Sequence, residues 1–364
     1  MLTWGDDYPL HQTPEPIAFA GGDRNFYDRY FFNGGTKDGA VFFAAALGVY
    51  PQLDVMDAAF SVLIDGRQRN LRSSKRLRGE RMDLKVGPIT IAVLQPLKKL
   101  QVKVQGADHG VTADLTIEGA FPPIEEPRFT RRQGARLFMD YTRMTQAGRW
   151  TGTITVDGVT HSLTPNQSWG VRDRSWGVRP VGAPESQPPP EAMPPQFYWL
   201  WSPCVFDDRA AFFHTNDDAH GKPWNRRGVI QAPGAATEFE APSLEWRYCS
   251  GSRRLASAVI HYAGQAGASL RLEPDGRHFY MSGVGYTHPV WGHGRDHGEL
   301  EVAYDELRPA DLNDNAPEHL HIQALTRAVL TENGQERQGF GVLEQLLIGP
   351  HAPSGFTSIL DGAP

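Results

Sequence analysis

Short segments in which apolar and polar side chains alternate occur along most of the chain. In residues 89–94 and 100–105 every second side chain is large and apolar, and residues 299–305 repeat the pattern. A period of two places one face of a strand on a core and the other toward water, as in antiparallel sheets. Asp157-Gly158 and Asn333-Gly334 each separate two such segments and predict tight hairpins. The pattern therefore predicts an all-β protein.

Two stretches depart from this alternation. Residues 135–144 could form one short helix, which Pro127 and Gly134 would confine. The basic run from Arg67 to Arg81 is interleaved with polar residues, and we interpret it as a solvated strand and turn. The alternative, which we favour less, is that this run binds an anion.

A proline-rich stretch suggests the domain organisation. Residues 182–195 contain six prolines, which cannot donate backbone hydrogen bonds to a sheet. We predict a first β domain over residues 1–181, a linker or long loop over 182–195, and a second β domain over 196–364. Two β-barrels or sandwiches with few short helices are the expected architecture.

Composition narrows the class of protein. The 364 residues are 40% hydrophobic and 21% charged, with a net charge of −6, which makes nucleic acid an unlikely partner. The two cysteines provide no disulfide framework. No apolar run approaches the ~20 residues that cross a bilayer, and the first residues do not read as a signal peptide. A cytoplasmic location is expected, and a homo-oligomer is left open.

The most unusual stretch is residues 166–180, where Ser-Trp-Gly-Val-Arg occurs twice. Asp173 lies between the two copies and is flanked by Arg172 and Arg174. An extended chain would place Asp173 on one face and Arg172, Arg174 and Trp176 on the other. Asp173 is either an ion-pair partner that shapes a turn or a general acid, because indoles raise a carboxyl pKa whereas guanidinium groups lower it.

A second unusual stretch, residues 283–299, combines Tyr286, His288, Trp291 and His293 with frequent glycines. Histidine titrates near neutral pH and is suited to proton transfer. His288, His293 and His297 could offer imidazoles to a metal, which is the lesser interpretation. Their spacing matches no familiar metal-binding pattern, so we predict no metal.

Acidic and imidazole side chains also occur near the C-terminal end. Glu344 stands in an otherwise apolar strand and points either outward or into a barrel. His319 and His321 are interpreted as a solvated strand face. No glycine-rich nucleotide-binding loop and no Gly-x-Ser-x-Gly motif is present.

Together, the segments Asp-Arg-Ser-Trp-Gly-x-Arg at residues 173–179 and Tyr-x-His-Pro-x-Trp-Gly-His-Gly at 286–294 resemble a known superfamily. It is the lipocalin-like two-barrel superfamily of carotenoid 1,2-hydratases (hydroxyneurosporene synthases), AttH-like proteins and tocopherol cyclases. The resemblance implies two consecutive calycin-type barrels and a cofactor-free site for a large apolar ligand. Many relatives have histidine where this chain has Arg174, so we expect His288 or His293 to carry protons instead.

These observations lead to two hypotheses about function. The first is a cofactor-independent lyase or isomerase that adds or removes water, or cleaves a carbon–carbon bond, in an apolar or aromatic molecule. Its predicted catalytic residues are Asp173, His288, His293 and Tyr286. Its predicted substrate-binding residues are Trp176, Trp291, Arg172 and Glu344. The second is a non-catalytic carrier of a hydrophobic small molecule.

Overall fold

A computed structural model describes residues 1–19, 21–187, 195–262 and 267–363. The protein is all-β, and its helices are single 3₁₀ turns. The strands are β1 (Phe26–Thr36), β2 (Phe42–Tyr50), β3 (Val55–Ile64), β4 (Arg67–Arg76), β5 (Lys85–Val86), β6 (Ile89–Gln95), β7 (Lys99–Gly106), β8 (Val111–Gly119), β9 (Ile124–Gln133), β10 (Arg136–Val156), β11 (Val159–Leu163), β12 (Ser168–Val178), β13 (Phe197–Val205), β14 (Ala210–Asp217), β15 (Pro223–Ala232), β16 (Ala235–Phe239), β17 (Ser243–Tyr248), β18 (Leu255–His261), β19 (Ser269–Tyr280), β20 (Leu300–Leu307), β21 (Ile322–Glu332) and β22 (Gln335–Ile348). The 3₁₀ turns are Trp4–Asp7, Pro51–Leu53, Ala107–His109, Met281–Val284, Pro309–Asp311, Pro317–His319 and Ala352–Ser354.

The chain forms two compact units. The first contains Met1–Glu191 and Ser282–Leu307, and the second contains Ala192–Met281 and Arg308–Pro364. The expected division into residues 1–181 and 196–364 did not assign the segment Ser282–Leu307 to the first unit. Within the predicted linker, residues 188–194 lie outside the described ranges.

The first unit is a curled antiparallel sheet in the order β20-β4-β3-β2-β1-β12-β10-β8-β7-β6-β5, and β9 and β11 also pair with β10. The sheet curls far enough for β5 to lie against β3 and β4. Its inner face encloses a core that includes Phe32, Phe43, Phe60 and Trp150. The alternation predicted for β6 and β7 is present, because Ile89 and Ile91 are buried on that core.

Residues 135–144 do not form the short helix that the sequence suggested. They begin β10, a strand of 21 residues that pairs with β8, β9, β11 and β12. Pairing on both edges outweighs the weak local preference for a helix, because tertiary contacts dominate such marginal propensities.

The basic run is a strand, as predicted, but it is not solvated. Seven consecutive residues of β4, from Gln68 to Ser74, are buried. Strand β20 covers the outer edge of β4, and Asp305 of β20 accepts hydrogen bonds from Asn70 and Arg72. The prediction of a solvated strand was wrong because β20 covers β4. Strand β20 lies more than 220 residues further along the chain, so the local sequence around β4 does not indicate this pairing.

The second unit is a curled antiparallel sheet in the order β16-β15-β14-β13-β22-β21-β19-β18-β17. Strands β21 and β22 form the hairpin predicted at Asn333-Gly334, and both turn residues have positive φ angles, 51° and 77°. Each unit is thus a curled antiparallel sheet, which confirms the predicted all-β fold class.

Candidate functional site

A cavity of about 440 Å³ lies within the first unit. One wall is the chain that follows β12, and the other is the segment between the Met281–Val284 turn and β20. The lining residues are Arg24, Asn25, residues 179–185, residues 285–288, Gly292, His293 and Arg295. Tyr286 supplies the one phenol among the described lining residues, and no tryptophan or phenylalanine is among them. This cavity therefore does not have the aromatic lining expected for the substrate site.

His293 is held between two hydrogen-bond partners at the cavity wall. Nη2 of Arg179 lies 3.0 Å from Nδ1 of His293, and Nε2 of His293 lies 3.1 Å from the Val284 carbonyl oxygen. Because a guanidinium group is only a donor, Nδ1 must accept and Nε2 must carry the proton. The ring of Tyr286 packs edge-on against the imidazole with centroids 4.3 Å apart.

A buried polar network lies beside this wall. Arg29, only 2% exposed, donates to the Val284 carbonyl oxygen at 2.9 Å and to the Tyr50 hydroxyl at 3.1 Å. The Tyr50 hydroxyl donates to Oδ1 of Asp57, and the backbone N–H of Gly294 donates to Oδ2 of Asp57 at 2.7 Å. These bonds fix the two ends of the segment that carries Tyr286 and His293.

Asp57 is the acid of this network. Burial raises the pKa of Asp57, although the Arg29 guanidinium beside it acts in the opposite direction. Nη1 of Arg29 lies 3.7 Å from Oδ1 of Asp57. Arg29 and Asp57 therefore compensate each other's charge in a region that largely excludes water.

His288 also lines the cavity, and its ring is fixed by the backbone. Nδ1 of His288 accepts the N–H groups of Val290 and Trp291 at 3.2 and 2.9 Å. The proton of the neutral ring must then be on Nε2, which lies 4.0 Å from Oδ2 of Asp305. His288 is thus presented to the cavity as a hydrogen-bond donor rather than as a base.

Asp173 is not among the cavity's described lining residues. It is 9% exposed on β12, where it lies opposite Phe31 of β1 and Thr145 of β10. Opposite residues of an antiparallel pair share a face, so Asp173 lies on the outer face of this sheet with Ser175. The positive charge of Arg143 is close enough for Asp173 to raise the pKa of that guanidinium. In this cavity, Asp173 does not meet the imidazoles as the sequence predicted.

Arg172 and Trp176 lie on the other face of β12, as the alternation predicted. Arg172 is opposite Phe32 and Gln146, and its Nε donates to Oε1 of Gln146 at 2.7 Å. Burial and the neighbouring Arg174 lower the pKa of Arg172 to about 10. Trp176 is 39% exposed, and its ring lies 6.0 Å from the Arg174 guanidinium carbon. Neither Arg172 nor Trp176 lines the cavity.

Trp291 lies next to the cavity without lining it. Its indole stacks on His297 with ring centroids 3.9 Å apart and an interplanar angle of 14°. Trp291 and His297 line a void of only about 10 Å³, together with Arg29, Asp57 and other residues. This void is too small for a substrate.

Glu344 lies in the second unit and is buried, with 7% of its surface exposed. Oε1 accepts from Nε1 of Trp199 and from Nε2 of His321, each at 2.9 Å, and Oε2 accepts from Gln323 at 2.7 Å. Burial acts against ionisation, but His321 and the three hydrogen bonds keep the pKa of Glu344 below its ordinary value. The expectation of a solvated His321 was wrong, because this carboxylate holds the ring in a site that is 3% exposed.

Sequence reasoning missed Arg179, Asp57 and Arg29. Each one interrupts a pattern: Asp57 is the single acid in an apolar strand, and Arg29 stands among aromatic residues. Arg179 ends the second copy of the Ser-Trp-Gly-Val-Arg repeat. Isolated charges in apolar strands were the available signal, and the same signal had already singled out Glu344.

No group of three or more His, Cys, Asp or Glu side chains in the described residues is arranged to hold a metal ion. No helix in the described ranges has the length and apolar character required to span a bilayer.

Comparison with solved structures finds the same two-barrel fold. An AttH protein from Nitrosomonas europaea has a TM-score of 0.55 at 12% identity, with 93% of this chain and 98% of that chain covered. CghA has a TM-score of 0.52 at 10% identity, with 89% of this chain and 88% of that chain covered. Kievitone hydratase from Nectria haematococca has a TM-score of 0.47 at 12% identity, with 88% of each chain covered.

These similarities show the fold alone, and at that level they confirm the predicted resemblance to the lipocalin-like two-barrel superfamily. The search among curated proteins found no match. A family model described as a family of unknown function (DUF8625) matches residues 2–357. Since that match covers nearly the whole sequence, the chain belongs to the DUF8625 family.

Proposed function

We propose that the protein is a cofactor-independent lyase or isomerase that moves a proton on a small oxygen-bearing molecule. The observation that carries the proposal is the 3.0 Å hydrogen bond from Arg179 to His293 at the cavity wall, beside Tyr286. A hydrogen-bond donor, a potential base and a phenol then converge on one cavity. Such convergence of titratable groups is the usual mark of a reactive pocket.

The charges of the cavity indicate the kind of ligand. Arg24, Arg179 and Arg295 line it, whereas the lining carboxylate, Glu185, is already bonded to Asn25 and Arg136. Nε of Arg179 is buried and makes no hydrogen bond to any described residue. A ligand with a carboxylate or carbonyl oxygen would satisfy this donor. The proposed substrate is therefore more polar than the apolar or aromatic one expected from the sequence.

The proposed reaction begins when a substrate oxygen accepts the Arg179 N–H groups. Nδ1 of His293 then loses its donor and becomes a base. It removes a proton from the carbon next to the substrate carbonyl, while Tyr286 donates to the developing oxyanion. The proton returns either to another carbon, which isomerises the substrate, or to a departing hydroxyl group, which leaves as water. The resemblance to hydratases favours the second outcome.

A carrier is the second candidate, and one observation supports it. Both nitrogens of His293 are hydrogen-bonded, and Nδ1 of His288 is occupied by two backbone donors. A site with its imidazoles already satisfied can bind a ligand without reacting with it. The two candidates differ in whether a bound molecule changes chemically.

The experiment uses the full chain and a panel of small β-hydroxy carboxylates, α,β-unsaturated carboxylates and β-keto acids. Mass spectrometry would detect gain or loss of one water, and chromatography would detect isomers. We expect turnover in the native protein and a loss of ~10²-fold or more in Tyr286→Phe. His220→Gln, a change of an exposed histidine in the second unit, is the matched control. Binding of panel members without any conversion would favour the carrier.

A further inference from the structure

The last turn of the second unit contains a serine and a histidine in direct contact. His351 is 1% exposed and precedes the 3₁₀ turn Ala352–Ser354. Oγ of Ser354 lies 2.6 Å from Nδ1 of His351. This pair was not apparent from sequence motifs, because it stands in His-Ala-Pro-Ser-Gly rather than in a Gly-x-Ser-x-Gly motif.

An acid completes the arrangement on the other side of the imidazole. Nε2 of His351 lies 3.5 Å from Oδ2 of Asp217, at the end of β14. Asp217 is 2% exposed and is held by Arg226, whose Nη2 lies 3.1 and 3.2 Å from the two carboxylate oxygens. Serine, imidazole and carboxylate therefore lie in the order nucleophile, base and acid. Nε2 of His351 makes no hydrogen bond to any described residue, so Asp217 is a charged neighbour of the ring rather than its hydrogen-bond partner.

Two tyrosine hydroxyls continue this chain of hydrogen bonds on the side of Ser354 away from His351. The hydroxyl of Tyr198 lies 2.9 Å from that of Tyr248, which lies 2.7 Å from Oγ of Ser354. When Ser354 donates to Nδ1 of His351, it can accept only from Tyr248, which in turn accepts from Tyr198. All the hydroxyl protons then point the same way, toward the imidazole. Burial raises the pKa of Tyr248 to about 12, so this phenol stays a donor at neutral pH.

We propose that Ser354 is an activated serine that takes an acyl group from a small ester. His351 Nδ1 removes the Oγ proton as Oγ bonds to the ester carbonyl carbon, and Tyr248 donates to the carbonyl oxygen. The ester C–O bond then breaks, and the alcohol leaves with the proton from His351. Water attacks the acyl-serine in the same way, which releases the acid and restores the Ser354 hydroxyl.

Ser354 lies in a surface turn but is itself buried. Ser354 is 8% exposed, whereas its neighbours Ala352, Pro353 and Gly355 are exposed. Because Ser354 itself is buried, we infer that only a small electrophile reaches its hydroxyl. The proposed substrates are thus short acyl esters.

The test uses the full chain and diisopropyl fluorophosphate, which reacts with activated serines by losing fluoride. Peptide mass spectrometry would locate the adduct. We expect modification at Ser354, loss of the adduct in Ser354→Ala, and a labelling rate ~100-fold lower in His351→Gln. Ser250→Ala, a change of an exposed serine, should leave labelling unchanged.

Thermal unfolding would establish that each variant is folded. If His351→Gln does not fold, Tyr248→Phe replaces it and should also slow labelling, because the phenol no longer assists. Folded native protein that is modified elsewhere but not at Ser354 would overturn the proposal. So would equal labelling rates in the native protein and the folded variants. The result is independent of the first-unit cavity, because Tyr286→Phe should leave Ser354 labelling intact.

Discussion

Nη2 of Arg179 donates a hydrogen bond to Nδ1 of His293 across 3.0 Å, and this bond determines what the imidazole can do. With Nδ1 occupied, the ring is a neutral donor through Nε2, directed at the Val284 carbonyl oxygen. A ligand that attracts Arg179 would release the basic nitrogen. In the proposed reaction, this bond would keep the imidazole from acting as a base until a suitable oxygen enters.

The protonation pattern of His293 follows directly. We expect long-range ¹H–¹⁵N NMR spectra of the native protein at neutral pH to show the Nε2–H tautomer. Arg179→Met removes the donor, so the Nδ1 resonance should move toward that of an unbonded nitrogen. A proton on Nδ1 in the native protein would contradict this hydrogen-bond assignment, since a guanidinium cannot accept.

Arg29 should be essential for the stability of the first unit. Arg29→Met leaves the largely buried charge of Asp57 without its partner. It also removes one of the two donors to the Val284 carbonyl oxygen, the other being Nε2 of His293. We expect a loss of about 3–5 kcal/mol in the free energy of unfolding, measured by chemical denaturation. Amide exchange of Gly294 should also become faster. Arg67→Met, at a far more exposed arginine, should cost less than about 1 kcal/mol.

Glu344 should stabilise the second unit in a pH-dependent way. Its folded pKa lies below its ordinary value, so its stabilising effect is present above about pH 4.3 and is lost as the pH falls through the folded pKa. Glu344→Gln should cost about 3 kcal/mol at pH 7. The difference from the native protein should shrink below about pH 4.3. Denaturation at several pH values would measure it, and a difference that grows in acid would refute the assignment.

Gly170, in the first copy of the repeat, should tolerate no larger side chain. A Cβ atom at this position would lie 2.0 Å from Nε1 of Trp150, which donates to the Asn33 carbonyl oxygen. Gly170→Ala should therefore destabilise the protein by about 1–3 kcal/mol. Gly22→Ala, where a Cβ meets nothing within 4 Å, is the control. Equal melting temperatures for the two variants would disprove the close contact.

Local patterns predicted the strands well because a sheet imposes its own period on the sequence. The alternation around Asp173 correctly separated it from Arg172 and Trp176, and the hairpins at Asp157-Gly158 and Asn333-Gly334 were confirmed. These features depend on neighbours in sequence or on the next strand. Glu344 could also be singled out from local sequence, because a lone acid in an apolar strand points either outward or into the barrel. The local sequence does not decide between these two orientations.

The site could not be assembled from sequence because its parts are distant along the chain. Arg29, Asp57 and His293 meet only because the segment Ser282–Leu307 belongs to the first unit. The same segment contains β20, which covers the basic strand β4. The local sequence of β4 had predicted a solvated strand. Asp173 was expected in the cavity because its sequence neighbours are unusual. The pairing of β12 with β1 and β10 places Asp173 beside Arg143 instead.

Deuterium transfer from solvent tests the central claim most directly. The full chain would be incubated in D₂O with a panel carboxylate that bears an acidic C–H group, and uptake would be followed by mass spectrometry. The account predicts uptake in the native protein and in His220→Gln, and a rate ~10²–10⁴-fold lower in folded His293→Gln. Uptake that is undiminished in folded His293→Gln would contradict the claim that this imidazole moves the proton.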